Sequence, residues 1–447
     1  MKPKPFSLLA SLLRPILLLS AVLGVAPAQA QLRLPSLNLP MPQPSGMLDT
    51  ETLRGRGARL LAAADTRALD ELRRLQVGDL LRRHRDVLEP DPHGEPMVRS
   101  QILAWSPSAA SLQAAREAGL QVIEVSSLDV LDERIVVLEV PTGTSTTAML
   151  EKLRALDPGG QYDFNHIYTA SASGPGGLAG PGGAGALPAS AGRSGVRIGL
   201  IDGGVTDKHP VFREAAITRW GCEGQLIPDA HGTAVAALMV GRSSRFRGVA
   251  PDAELYAADV YCGSPTGGTV ERIAAALGWL AKQRVAVINI SLVGPPNLML
   301  ERAVGAMVRR GYLLVAAVGN DGPAAAPLYP ASYPGVVGVS GVDRDGRTLP
   351  EAARGPQVMF AAPGNQMVSA ALGSPPYRTV RGTSFAAPIV AAMLAGELGE
   401  PEPQAARQAI RALARQASGA PVNGVSNAIG YGVLGGAFRN EPDNFRE

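Results

Sequence analysis

From Val196 onward the chain alternates two apolar patterns. Residues 196–201, 254–260, 285–291, 313–318 and 336–339 are short β-branched or aliphatic runs, whereas 231–240, 270–282 and 299–309 are longer Ala/Leu-rich amphipathic segments. A strand with no polar alternation is buried on both faces, and an intervening helix is the crossover that parallel neighbours need. The pattern therefore predicts an α/β domain of three layers, with a mostly parallel sheet between two layers of helices. Ligands of such sheets gather outside the carboxyl ends of the strands. Asp202, Ser291 and Asn320 all fall at such ends.

Two further stretches carry reactive side chains. Gly382-Thr383-Ser384-Phe385-Ala386-Ala387-Pro388 delivers a serine into the first turn of an alanine-rich helix, and His231-Gly232-Thr233 opens another small-residue helix. A serine at a helix start is usually a cap, and a lone Asp after a strand is usually a turn former. Here, however, the order is Asp202, His231, Ser384, with Gly319-Asn320-Asp321-Gly322 closing a strand between the last two. That order distinguishes one convergent form of the Ser-His-Asp arrangement from the others. Across residues 194–434 the chain resembles the subtilisin-type (subtilase) serine peptidases.

The resemblance implies peptide-bond hydrolysis through an acyl-enzyme. Ser384 would be the nucleophile, His231 its base and Asp202 the group that orients the imidazole, with the Asn320 amide and the Ser384 N–H as oxyanion donors. It further implies that Ser291, Leu292, Val293 and Gly294 pair with substrate, and that Ala317, Val318, Gly319 and Leu328 wall the pocket for P1, the residue before the cut. Val293 and Leu328 stand where the family usually has glycine, so the expected P1 residue is small or medium and apolar. Gly203 replaces a hydroxyl residue that often follows the Asp, and Ala234 replaces a second His without a catalytic role. The sequon Asn289-Ile290-Ser291 falls in a predicted buried strand, so no glycan is expected there.

Upstream, residues 1–30 carry Lys2 and Lys4, an apolar stretch interrupted by Arg14-Pro15, and a closing Ala28-Gln29-Ala30. This is a signal-peptide pattern with cleavage expected after Ala30, giving a secreted or periplasmic protein without a stable membrane anchor. Residues 31–95 form a leader followed by an arginine-rich helical segment. Its interspersed acids point to a solvated face with ion pairs, and the net charge of +3 gives no reason to expect a nucleic-acid partner. Residues 96–170 read β-α-β-β-α-β, a small ferredoxin-like α+β unit. Its place directly before the peptidase resembles the subtilase pro-domain, which implies a folding chaperone and intramolecular inhibitor. Residues 171–195 are a Gly/Pro/Ala linker and the accessible place for the cut that removes such a unit. Gly180 to Gly185 matches a dinucleotide-binding spacing, but no strand precedes it and no helix follows. Residues 435–447 read as a polar tail.

The two cysteines, Cys222 and Cys262, suggest one disulfide in an exported chain, with two buried thiols as the other reading. No acidic loop has a convincing calcium spacing, so no cofactor or metal is expected beyond the family's habit of binding calcium. The expected partners are polypeptide substrates and the chain's own pro-domain, with the enzyme acting as a monomer. Two rivals are weighed against this reading. A catalytically silent subtilase-like binding protein would be expected to lose one of the four site residues. An esterase-type hydrolase needs Ser before Asp before His and a G-x-S-x-G elbow.

Overall fold

Side-chain caps and strand pairings from residue 66 onward build two units that share a core. The computed structural model describes residues 66–170, 195–419 and 424–445. The expected signal peptide, the first part of the leader and nearly all of the linker lie outside the described residues. In the first unit, α1 (Thr66–Arg83) and β1 (Leu88–Pro90) precede β2 (Pro96–Trp105), α2 (Ala109–Glu117), β3 (Gln121–Leu128), β4 (Glu133–Glu139), α3 (Thr146–Leu156) and β5 (Tyr162–Ala170). Ser108 and Ser145 cap α2 and α3 by accepting from Ser111 N and Ala148 N, which is why the helices start where the serines stand. The sheet order β5-β2-β4-β3 is antiparallel throughout, the ferredoxin-like arrangement predicted, with β1 added beside β2.

The second unit contains β6 (Arg197–Asp202), β7 (Ile217–Trp220), α4 (Ala230–Val240), β8 (Glu254–Asp259), β9 (Gly268–Thr269) and α5 (Val270–Lys282). These are followed by β10 (Val287–Ile290), β11 (Leu292–Val293), α6 (Leu298–Arg309), β12 (Leu313–Ala317), β13 (Val337–Val342) and β14 (Val358–Pro363). The hairpin β15 (Met367–Ala370) and β16 (Tyr377–Val380) leads to α7 (Thr383–Glu397) and α8 (Pro403–Gln416). Seven strands pair in the order β14-β13-β12-β10-β6-β8-β7, every neighbouring pair parallel. Alternate residues of β12 feed opposite faces: Leu313, Val315 and Ala317 join the core under α4 and α7, Leu314 and Ala316 the core under α5 and α6. Chain order reverses at β6, so the crevice for a ligand opens beside its carboxyl end, where Asp202 stands.

The ferredoxin-like sheet lies on α5 and α6. Leu103, Leu128, Ile135 and Val137 belong to the same buried cluster as Leu277 and Met307. A Cβ at Gly278 would come within 2.7 Å of Leu128 Cδ2, so this approach requires glycine. Polar contacts add to it. Glu271 N–H donates to Asn165 Oδ1 at 3.3 Å and Leu298 N–H to Asp163 Oδ2 at 2.7 Å, satisfying first-turn donors that each helix leaves open.

Three sequence expectations need revision. The arginine-rich α1 does carry the expected solvated pairs, Asp79 with Arg82 and Arg83. Arg73, however, reaches Glu95 and Asp321, each at 3.2 Å, and so ties α1 to the loop after β12. The half-exposed edge strand β7 and the β15–β16 hairpin lack a long apolar run and were not anticipated. Residues 435–445 are not a solvated tail. Asn440 is buried and bonds both N and O of Arg247, while Phe445, 5% exposed, packs 4.9 Å from Tyr377 and 6.3 Å from Phe246. Cys222 and Cys262 form a disulfide. Among the described residues, no helix is long and apolar enough to cross a membrane. Phe445→Ala should therefore destabilise the fold by about 3 kcal/mol, read from the urea midpoint of Ser384→Ala protein. An unchanged midpoint would return this segment to the status of a tail.

Candidate active site

Four segments converge at the carboxyl end of the central sheet. Asp202 ends β6 with no exposure, and Gly203 N–H donates to its Oδ1 at 2.8 Å. His231 is the second residue of α4. Asp229 caps that helix, accepting from His231 N at 2.7 Å and Gly232 N at 3.0 Å, and this cap sets where the imidazole leaves the backbone. His231 Nδ1 lies 2.9 Å from Asp202 Oδ1 and 3.1 Å from Oδ2. Against a carboxylate the proton resides on Nδ1, which leaves a lone pair on Nε2. Nε2 is buried and has no hydrogen-bond partner among the described residues. The ring packs 5.3 Å from Phe385, the neighbour of Ser384.

Burial alone would lower the basicity of His231. The charge and hydrogen bond of Asp202, with the charge of Asp229 behind them, more than offset it, so the pKa is raised. Burial pushes Asp202 upward, opposed by the imidazole.

Ser384 stands in the first turn of α7, whose N-cap is Gly382 with φ +131° and no capping side chain. The capping reading of this serine therefore does not hold. Helix α7 is buried nearly all round, and Ser384 itself has no exposure. Ser384 Oγ donates to Ser291 O at 3.3 Å. Asn320 follows β12 and the turn at Gly319. Its Oδ1 accepts from Thr383 N at 3.0 Å, which orients the amide so that Nδ2, buried and without a partner among the described residues, is a ready donor beside the start of α7. Gly319 N–H donates to Thr383 Oγ1 at 3.2 Å and fixes the same turn. A poised base, a hydroxyl at a helix start and a spare amide donor are what acyl transfer needs.

The expected substrate segment is already paired. Leu292 and Val293 lie opposite Ala170 and Thr169 of β5, and Gly268 and Thr269 lie opposite Tyr168 and Ile167 on its other side. The end of the ferredoxin-like unit thus runs as an extended strand between β9 and β11. A Cβ at Gly294 would meet the Tyr168 ring at 2.8 Å, so glycine there makes room for that ring. Ala317, Val318 and Gly319 are buried at the β12 end, and Leu328 (5% exposed) packs beneath them, its Cδ1 2.4 Å from where a Gly319 Cβ would stand. The Ser291 side chain faces Ser384 O and Asn289 and has no exposure. Sequence reading missed Asp229, Thr383 and Asn289. The Asp two residues before the helical His is the one local signal that could have flagged a cap.

Among the described residues, the one group of three side chains close enough to share a metal ion is Cys222, Asp259 and Cys262. Both sulfurs are joined to each other, so the set does not suit calcium or any hard cation.

The parallel sheet, covered on both faces, brings the Asp202–His231 pair and the start of α7 together at its switch point. The subtilase family (peptidase S8) matches residues 193–432. Subtilisin Savinase of Lederbergia lenta is 36% identical over 203 residues, covering 44% of this chain and 74% of that protein. M-protease of Shouchella clausii (strain KSM-K16) is 36% identical over 207 residues, 45% of this chain and 53% of that protein, so the chain spans about half of that relative's length. Among solved structures, fervidolysin from Fervidobacterium pennivorans, a keratinolytic enzyme related to subtilisin, superposes with a TM-score of 0.64 at 19% identity. That likeness covers 78% of this chain and 62% of the other, and it is a likeness of fold. The chain belongs to the subtilase family.

The raised basicity of His231 has a direct readout. In Ser384→Ala protein, the imidazole followed by NMR should titrate above the ordinary value of 6.5, holding its proton as pH climbs past that point. Asp202→Asn should bring the midpoint down, whereas a midpoint at or below 6.5 in the parent would contradict the electrostatics.

Proposed function

We propose that this chain is an exported serine endopeptidase, made as a self-processed zymogen, which cleaves peptide bonds through an acyl-enzyme on Ser384. The observation that carries this reading is the Asp202–His231 pair, with its Nε2 lone pair available beside the start of α7 and the spare Asn320 amide next to it. His231 takes the Ser384 proton as Oγ attacks the carbonyl. Asp202 holds the tautomer and stabilises the imidazolium. Asn320 Nδ2 and the Ser384 N–H receive the oxyanion, a contact whose loss typically costs about 10²–10³ in rate. His231 then gives its proton to the leaving amine, and water attacking by the reverse route frees the acid and Ser384.

The ferredoxin-like unit acts as the inhibitor. Its strand β5 occupies the channel an extended substrate would use, hydrogen-bonded through backbone on both sides. Leu328 packed beneath Gly319 favours small P1 residues. The start of the chain directs export, and the mature protein works as a monomer.

Ser384→Ala should accumulate as uncut precursor and lose fluorophosphonate labelling, whereas the wild-type chain should label and mature to a form beginning within a few residues of Ala170. Normal trimming of Ser384→Ala would assign the cut to another protease, and absence of labelling in the wild-type would favour the silent binding protein. A panel of peptides varied at P1 should be turned over fastest with a small or medium apolar residue such as Ala or Val there. Best turnover with Lys, Arg or Phe would refute the shallow pocket.

A further inference from the structure

Helix α7 has a gap in its own hydrogen-bond ladder directly beneath Ser384. In an α-helix the carbonyl of residue i accepts from the N–H of residue i+4. For Ser384 that residue is Pro388, which lies inside the helix and has no N–H to give. Ser384 is wholly buried, so water is not at hand to replace the missing donor.

A side chain from the sheet supplies it. Ser291 Oγ donates to Ser384 O at 2.9 Å, and Asn289 Nδ2 lies 3.0 Å behind Ser291 Oγ. Both Ser291 and Asn289 have no exposure. A serine hydroxyl has a single proton. The Ser384 carbonyl can only accept, so that proton must point at it, and Asn289 must then present its NH₂ rather than its carbonyl to Ser291. Asn289 Oδ1 is left buried with no partner among the described residues, a cost that an apolar residue in this strand would not incur. Ser291 O in turn accepts from Ser384 Oγ at 3.3 Å. Thus the nucleophile's carbonyl and its hydroxyl are both held from β10 and the turn after it.

We propose that Asn289 is a positioning residue: by donating to Ser291 Oγ it turns the Ser291 proton toward the Ser384 carbonyl, replacing the hydrogen bond that Pro388 withholds and fixing the peptide unit that carries the nucleophile. This rests on the serine-peptidase reading. Asn289 touches neither substrate nor the reacting atoms, and its effect is carried by the orientation of Ser384.

Asn289→Asp tests the polarity at nearly constant shape, because a carboxylate accepts the Ser291 proton and pulls it away from Ser384 O. With the full chain expressed and allowed to mature, and active sites counted by fluorophosphonate titration, kcat should fall about ten-fold while KM stays within about two-fold. Pro388→Ala returns an N–H to position i+4. In that background Asn289→Asp should cost less than about two-fold, a rescue that a merely structural role for Asn289 would not give. If Asn289→Asp does not fold, Ser291→Ala serves in its place: its loss of kcat should be recovered by Ser291→Ala/Pro388→Ala. An unchanged kcat, or a loss that Pro388→Ala leaves in place, overturns the proposal. A wild-type chain that neither labels nor turns over peptide overturns the peptidase reading instead, so the two failures are distinct.

Discussion

Asp202 is a carboxylate held wholly out of water, and much of the surrounding architecture makes that tolerable. A buried charge must be paired and hydrogen-bonded. Here the partners come from the next residue, Gly203, and from His231 at the start of α4, whose exit direction depends on the Asp229 cap. β6 can present the charge there only because its neighbours β8 and β10 leave in opposite directions along the sheet. The switch in strand order creates the crevice, the burial raises the electrostatic stakes, and the imidazole is what balances them.

The start of α7 follows the same logic. Asn320 is positioned by the backbone of Thr383, the turn at Gly319 by the hydroxyl of Thr383, and the carbonyl of Ser384 by the hydroxyl of Ser291. Each of these contacts joins the start of α7 to the end of a β-strand. Helix and sheet therefore set one another's geometry through polar contacts, while the apolar packing beneath them supplies rigidity.

Much of this could be read in the sequence wherever a residue's role depends on its immediate neighbours. An apolar run that stops at Asp202 or Gly319-Asn320 marks a strand end, and α5 could be bounded because Thr269 and Lys282 flank an amphipathic stretch. What could not be read depends on partners far along the chain. Arg73 looks like any surface arginine until the fold brings Asp321 to it. Phe445 and Asn440 sit in a polar-looking stretch whose partners, Phe246 and Arg247, lie about two hundred residues upstream. Asn289 reads as a failed glycosylation sequon. Its meaning comes from Pro388, a residue that would count against a helix if it were read alone.

The pairing of β5 with β9 and β11 has one more implication. All its ladder contacts run through main-chain groups, which every residue carries alike, so the pairing itself calls for an extended strand and not for a particular string of side chains. Under the proposed function, a receptor built this way discriminates first by shape: a loose, straightened segment can enter, whereas a helix or a folded hairpin cannot, and local unfolding of the target becomes the gate.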